Sequence, residues 1–188
     1  MNIRLMNTKI LLIAESKKQN KIMNKINLKL LFFSIILLFL SFSCHFSNIN
    51  KTQLPNAVGL VNDFEQDLTD SEKAELTKII TDFQKETGNQ ISIVSIANYE
   101  PYKSMDEYSL TLFKRWGVGQ KDKNNGVMIA FSTALRRIRI QNGYGIESKM
   151  TNEETKKIID NIMLPEFKSE NYFEGLKKGL VAIMSEIR

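Results

Sequence analysis

Between Phe113 and Phe131 the chain reads FKRWGVGQKDKNNGVMIAF, a run compatible with few folds. An amphipathic helix closes at Trp116, and Gly117 and Gly119 break it. Lys121 to Asn125 make an exposed polar turn, and Gly126 lets the backbone enter the apolar run VMIAF tightly. Helix, punctuated loop and buried strand in that order are the second half of a strand-helix-strand unit.

The flanking sequence supplies the rest. Thr69-x-x-Glu72 is a capping box that opens a first helix, which bears Leu68, Leu76, Ile79, Ile80 and Phe83 on its apolar face and stops at Gly88. Ile91 to Ala97 reads as a strand buried on both faces. A second box, Ser104-x-x-Glu107, opens the helix that ends at Trp116. Val127 to Phe131 and Arg137 to Gln141 are joined by a short polar turn and should pair as a hairpin. Ile138 and Ile140 point one way, and Arg137 and Arg139 the other, wet way, which suits an edge. Thr151-x-x-Glu154 opens a third helix that Pro165 should end, and a last amphipathic helix runs from about Asn171 to Ile187. Alternating strands and helices predict an α/β fold, a three-layer α/β/α sandwich around a mixed, mostly parallel sheet.

Charge divides the chain. Residues 1–43 hold seven Lys or Arg and one acid, whereas the remainder holds nineteen basic and twenty acidic side chains. A nearly neutral body has no electrostatic footprint for nucleic acid. The basic segment leads into an uncharged apolar run from Leu30 that ends at Cys44, the pattern of an export signal or membrane anchor over residues 1–44. Starting at Met23 would give that signal a usual length, so residues 1–22 read as an over-extended start. Ser43 before Cys44 fits a lipoprotein signal with Cys44 as the lipid anchor; a retained transmembrane segment and a cleaved soluble form are the alternatives. Residues 45–56 read as a polar tether and 57–188 as one domain. The expected location is outside the cytoplasm, anchored in a membrane through the N-terminal segment.

Cys44 and His45 are the only cysteine and histidine. The body after them therefore has no disulfide, no Cys/His zinc site, no cysteine nucleophile and no Ser-His-Asp arrangement. No catalytic residue stands out, and nothing marks a nucleotide cofactor.

Five pieces occur in order: Val61-Asn62-Asp63, Thr87-Gly88-Asn89-Gln90-Ile91, Arg115-Trp116-Gly117-Val118-Gly119, Asn124-Asn125-Gly126-Val127 and Asn142-Gly143-Tyr144-Gly145-Ile146-Glu147. Through that series residues 55–188 resemble the TPM domain family, named for thylakoid lumen, photosystem II repair and MOLO-type acetylcholine-receptor-modulator proteins. The resemblance implies the same three-layer fold. It also implies two functions: a binding, assembly or maintenance module for envelope protein complexes, or, since some members are described as acid phosphatases, a metal-assisted phosphomonoesterase.

Ligands of open α/β sheets collect outside the carboxyl ends of the strands. On that rule Asp63, the turn with Asp122, Asn124 and Asn125, and the segment ending at Glu147 are expected to converge. They form an oxygen donor set suited to a divalent hard cation, Ca²⁺ or Mg²⁺. The same residues also read as a turn cap at Asp63, a tight turn at Asn124-Asn125-Gly126 and a solvated Glu147. Family members commonly carry Asp-Asn-Gly where this chain has Asn124-Asn125-Gly126, and Asp where it has Asn152, so two negative charges are missing. Arg136, Arg137 and Arg139 could clamp a phosphate or simply face water.

Overall fold

The structure, a computed structural model, describes residues 54–188, which lie within a compact unit spanning Lys51–Arg188. The export segment, Cys44 and most of the tether lie outside the described residues. Among the described residues no helix is long and apolar enough to cross a membrane.

Four strands form one sheet in the order β1 (Val61–Asn62), β2 (Gln90–Ser95), β3 (Gly126–Ser132), β4 (Arg137–Asn142). The first three are parallel and β4 is antiparallel, as the hairpin requires. The register places Val61, Ile93, Ile129 and Ile140 side by side in a row across the sheet. Alternation then sends Ile91, Ile93, Val127, Ile129 and Phe131 to one face and Val94, Met128 and Ala130 to the other. The first face is covered by α1 (Asp70–Thr87) and α6 (Tyr172–Ile187), the second by α2 (Met105–Trp116). This is the expected three-layer α/β/α arrangement.

One consequence is topological. The crossovers β1-α1-β2 and β2-α2-β3 both step in the same direction across the sheet, yet their helices lie on opposite faces. The two crossovers therefore have opposite hands. The usual right-handed preference yields in one of them, and β1 pairs through only two residues.

Caps largely follow the sequence. Thr69 closes a full capping box with Glu72, and α1 stops at Gly88 in the left-handed conformation. Ser104 accepts from Glu107 N, but the Glu107 carboxylate turns to Lys103 N, so this second box is half made. Three features differ from expectation. A short helix, α3 (Tyr144–Glu147), forms where the sequence suggests only a loop. Pro165 does not end the third helix: α4 (Asn152–Ile158) passes through a π turn (Ile159–Met163) into α5 (Leu164–Lys168). The widened turn restarts the α register just ahead of Pro165, in the first turn of α5, where its missing N–H is not needed. The tether also ends earlier than position 56. Leu54 is buried against α2, and Trp116 Nε1 donates to Pro55 O at 2.8 Å.

Candidate functional site

Strand direction decides which loops meet. Asp63 leaves β1 and lies at the carboxyl end of the parallel strands. The 122–125 turn enters β3, and Gly143 to Glu147 leaves antiparallel β4, so both lie at the amino end. The seven residues of β3 separate the two ends by about 20 Å. The donor set expected from the sequence, Asp63 with Asp122, Asn124, Asn125 and Glu147, is therefore not assembled.

At the carboxyl end the acids hold loops together. Asn62, wholly buried, accepts from Val58 N and Gly59 N and donates to Gly59 O and Ile93 O, which explains its place beside Asp63. Asp63 accepts from Asp67 N at 3.2 Å, Leu68 N at 2.9 Å and the Ser95 hydroxyl at 3.0 Å. Glu65 reaches the β3–β4 turn, accepting from Ser132 Oγ, Thr133 N and Ala134 N, while Asp67 accepts from Thr133 Oγ1. Burial pushes the Asp67 carboxyl above its ordinary range; Thr133 opposes the shift, and Glu65 and Asp63 add to it. Nothing local marks this carboxylate loop in the sequence, where Glu65 and Asp67 carry no motif.

At the amino end Asn125 is buried and fully used. Its Oδ1 accepts from Gln120 N at 2.8 Å, and its Nδ2 donates to Gly88 O at 2.9 Å and Asn89 Oδ1 at 3.2 Å. Asn89 in turn donates to Ile187 O, and Gln90 Oε1 accepts from Gly119 N. The glycines of Asn142-Gly143-Tyr144-Gly145 serve close approach. A Cβ on Gly143 would lie 2.1 Å from Asn124 O, and one on Gly145 2.0 Å from Lys123 O. Asn124 itself takes φ 48°, a conformation asparagine tolerates.

This packing leaves a cleft of about 640 Å³ between the end of α2, the 117–124 loop, the end of β4, α3 and the start of α4. Asn124, Glu147 and Asn152 line it, with Asn142, Lys114 and Lys121, whereas Asp122 is exposed on the turn and does not. Asn142 Nδ2 donates to Thr155 Oγ1, but its buried Oδ1 has no partner. Tyr144 is 81% exposed and Leu110 41%, both on the lining. Among the described residues no three His, Cys, Asp or Glu side chains stand together so as to hold a metal ion.

With that geometry in view, comparison with known proteins is informative. A solution structure of the N-terminal domain of a P. gingivalis protein is 28% identical, with a TM-score of 0.61 over 68% of this chain and 80% of that one. The N-terminal domain of a Corynebacterium glutamicum protein, at 14% identity, superposes with a TM-score of 0.55 over 73% of this chain and 85% of that one. The BA42 protein of Bizionia argentinensis, at 19% identity, gives 0.58 over 66% and 83%. The last two likenesses show the fold alone. No curated protein matches the chain. The TPM domain model matches residues 61–186, which takes in the five ordered motifs and both ends of the sheet, and the chain accordingly belongs to the TPM domain family.

Proposed function

We propose that this TPM domain is a binding and assembly module held at the outer face of a membrane, where it helps maintain or assemble envelope protein complexes. The observation that carries the reading is the amino-end cleft, whose lining leaves Tyr144 and Leu110 in water. Large apolar side chains exposed around a polar cleft are what a macromolecular contact covers. The basic, then uncharged, N-terminal sequence ending at Cys44 supports the membrane tether, and the near-neutral body favours protein partners over nucleic acid. The test is quantitative recovery of partners from membranes with the full chain and with a Tyr144→Ser, Leu110→Ser variant. The reading expects specific proteins that the variant loses; equal recovery by both would overturn it.

A metal-assisted phosphomonoesterase is the second reading. It is favoured by the name of the matching family model, TPM phosphatase, and by the oxygen donors around the cleft. Asn124, Asn142, Glu147 and Asn152 would face a Ca²⁺ or Mg²⁺ ion, which would orient and neutralise a phosphoryl group. The donor set fits such an ion poorly. Glu147 is the one acid on the lining, and Lys114 and Lys121 oppose a cation. Unfolding midpoints measured in EDTA and in millimolar Ca²⁺ or Mg²⁺ separate the readings: a rise abolished by Glu147→Ala would favour the enzyme.

A further inference from the structure

A second cleft, of about 310 Å³, opens at the other end of the sheet, between the β3–β4 turn and the α5–α6 junction. Its lining joins two kinds of chemistry. Ile138, Leu164, Phe167 and Tyr172 make an apolar wall, and Arg136, Lys168 and Glu170 bring charge. The wall is rigid where it is aromatic. Phe167 stands edge-on to Phe131 at 5.8 Å and to Tyr172 at 5.3 Å between ring centroids. Behind Phe167 there is no slack, because a Cβ on Gly175 of α6 would come within 2.6 Å of its ring.

The charged side chains are free to act outward. Among the described residues neither Arg136 nor Lys168 makes a side-chain hydrogen bond or an ion pair, although most other charged side chains near this end do. Ser132 and Thr133, also on the lining, have their hydroxyls committed to Glu65 and Asp67. Both charged turns bordering the cleft are held in an unusual conformation: Arg136 has φ 52° and Glu170 φ 62°. Arg136 is the left-handed last residue of the hairpin turn, its N–H donating to Thr133 O, and Glu170 is the left-handed cap of α5, where Asn171 N donates to Glu166 O. Glu170 offsets one of the two cations, leaving the lining with a net single positive charge.

We infer that this cleft binds a carboxylate carried on an aromatic body, the ring against Phe167 and Tyr172 and the carboxylate on Arg136 and Lys168. Arginine offers a planar pair of donors that fits a carboxylate, and a ring entering beside two edge-on aromatics gains the geometry such rings prefer. The location agrees with the tendency of α/β sheets to bind ligands outside the carboxyl ends of their strands. The same chemistry is offered by a free arylalkyl acid and by a polypeptide whose last residue is aromatic.

The test uses the full-length chain in lipid nanodiscs, with empty nanodiscs as reference, and follows 3-(4-fluorophenyl)propionate by ¹⁹F NMR. A ligand of about a dozen heavy atoms should bind with a dissociation constant on the order of 1 mM. The corresponding amide should not saturate, and Arg136→Gln with Lys168→Gln should weaken the acid about tenfold. Both side chains are exposed, so the variant should fold; circular dichroism checks this. Arg137→Gln removes a neighbouring exposed cation that does not line the cleft and should leave binding unchanged. Equal binding of the amide, no loss in the double variant, or an equal loss in Arg137→Gln would each overturn the inference. Displacement of the probe by Ala-Ala-Phe at lower concentration than by phenylpropionate would assign the site to a chain terminus; the reverse order would assign it to a free acid.

Discussion

Asn125 belongs to a family motif, so its substitution distinguishes a ligand from a structural brace. As a brace it links three chain segments: it accepts from Gln120 N and donates to Gly88 O and Asn89 Oδ1. Asn125→Ala leaves one amide and two carbonyl-type oxygens without their partner at a site 6% exposed. An orphaned buried polar group costs about 1–3 kcal/mol, and water can reach part of this loop, so the sum is about 2–4 kcal/mol. A domain of this size loses roughly 4 °C per kcal/mol, which predicts a midpoint lower by roughly 8–16 °C. Thermal and urea unfolding of residues 51–188 by circular dichroism, in EDTA throughout, would measure it without any contribution from metal. Asn125→Asp keeps an acceptor for Gln120 N but turns both donors into a carboxylate facing two oxygens, and should be at least as damaging. A change under about 2 °C for the alanine variant would refute the brace.

Asp63→Ala should lower stability by about 1.5–3 kcal/mol, since three donors lose a carboxylate acceptor. The loss should be the same with EDTA or millimolar Ca²⁺, because Asp63 lies at the opposite end of the sheet from the cleft; a Ca²⁺-dependent loss in denaturant titrations would contradict this. Gly143→Ala puts a Cβ against the Asn124 carbonyl, a backbone obstacle that cannot rotate away, and should cost about 3 kcal/mol. Amide shifts in NMR should spread through the 120–126 loop, and changes confined to position 143 would count against the steric account. Asp67 has its folded-state carboxyl raised, chiefly by burial. The folded chain then binds its proton more readily than the unfolded chain, so this contribution is present at low pH and fades as pH rises through the folded value. Asp67→Asn keeps an acceptor for Thr133 and should remove that fall, leaving the variant at least as stable as the parent at pH 7. Unfolding midpoints from pH 4 to 7 check it, and a variant less stable at neutral pH would reverse the sign.

Much of the fold was legible because its signals are local. Thr69 with Glu72, and Gly88 eighteen residues beyond the first helical position, fix both ends of α1 through groups a few residues apart. The Arg-Ile alternation of β4 likewise gave its edge position, but its arginine face is not simply wet: Arg137 is exposed, whereas Arg139 pairs with Asp106 and Gln141 donates to Ser109, both on α2. Pro165 misled because the rule that proline stops a helix assumes an unbroken α register, and nothing in Ile159–Met163 announces a π turn. What is visible there is tertiary packing: Met163, the last residue of the π turn, lies against Gly179 of α6, where an added Cβ would come 2.6 Å from its side chain.

The candidate site was less legible for a different reason. Residue type and the rule that loops at strand ends converge group these oxygen donors together, but which end a loop occupies depends on whether the chain enters or leaves the strand there. Asp63 leaves β1, the Asp122 to Asn125 turn enters β3, and in parallel neighbours those are opposite ends. Glu147 follows β4, which runs back along β3, and so joins the turn rather than Asp63. The hairpin signal needed to make that assignment was already present in Val127 to Gln141. The consequence is chemical as well as geometric. Splitting the acids leaves Glu147 as the one acid on the cleft lining, among amides and lysines, and at the other end sets Asp63, Glu65 and Asp67 to holding loops. A donor set of that kind recognises a ligand more readily than it activates one.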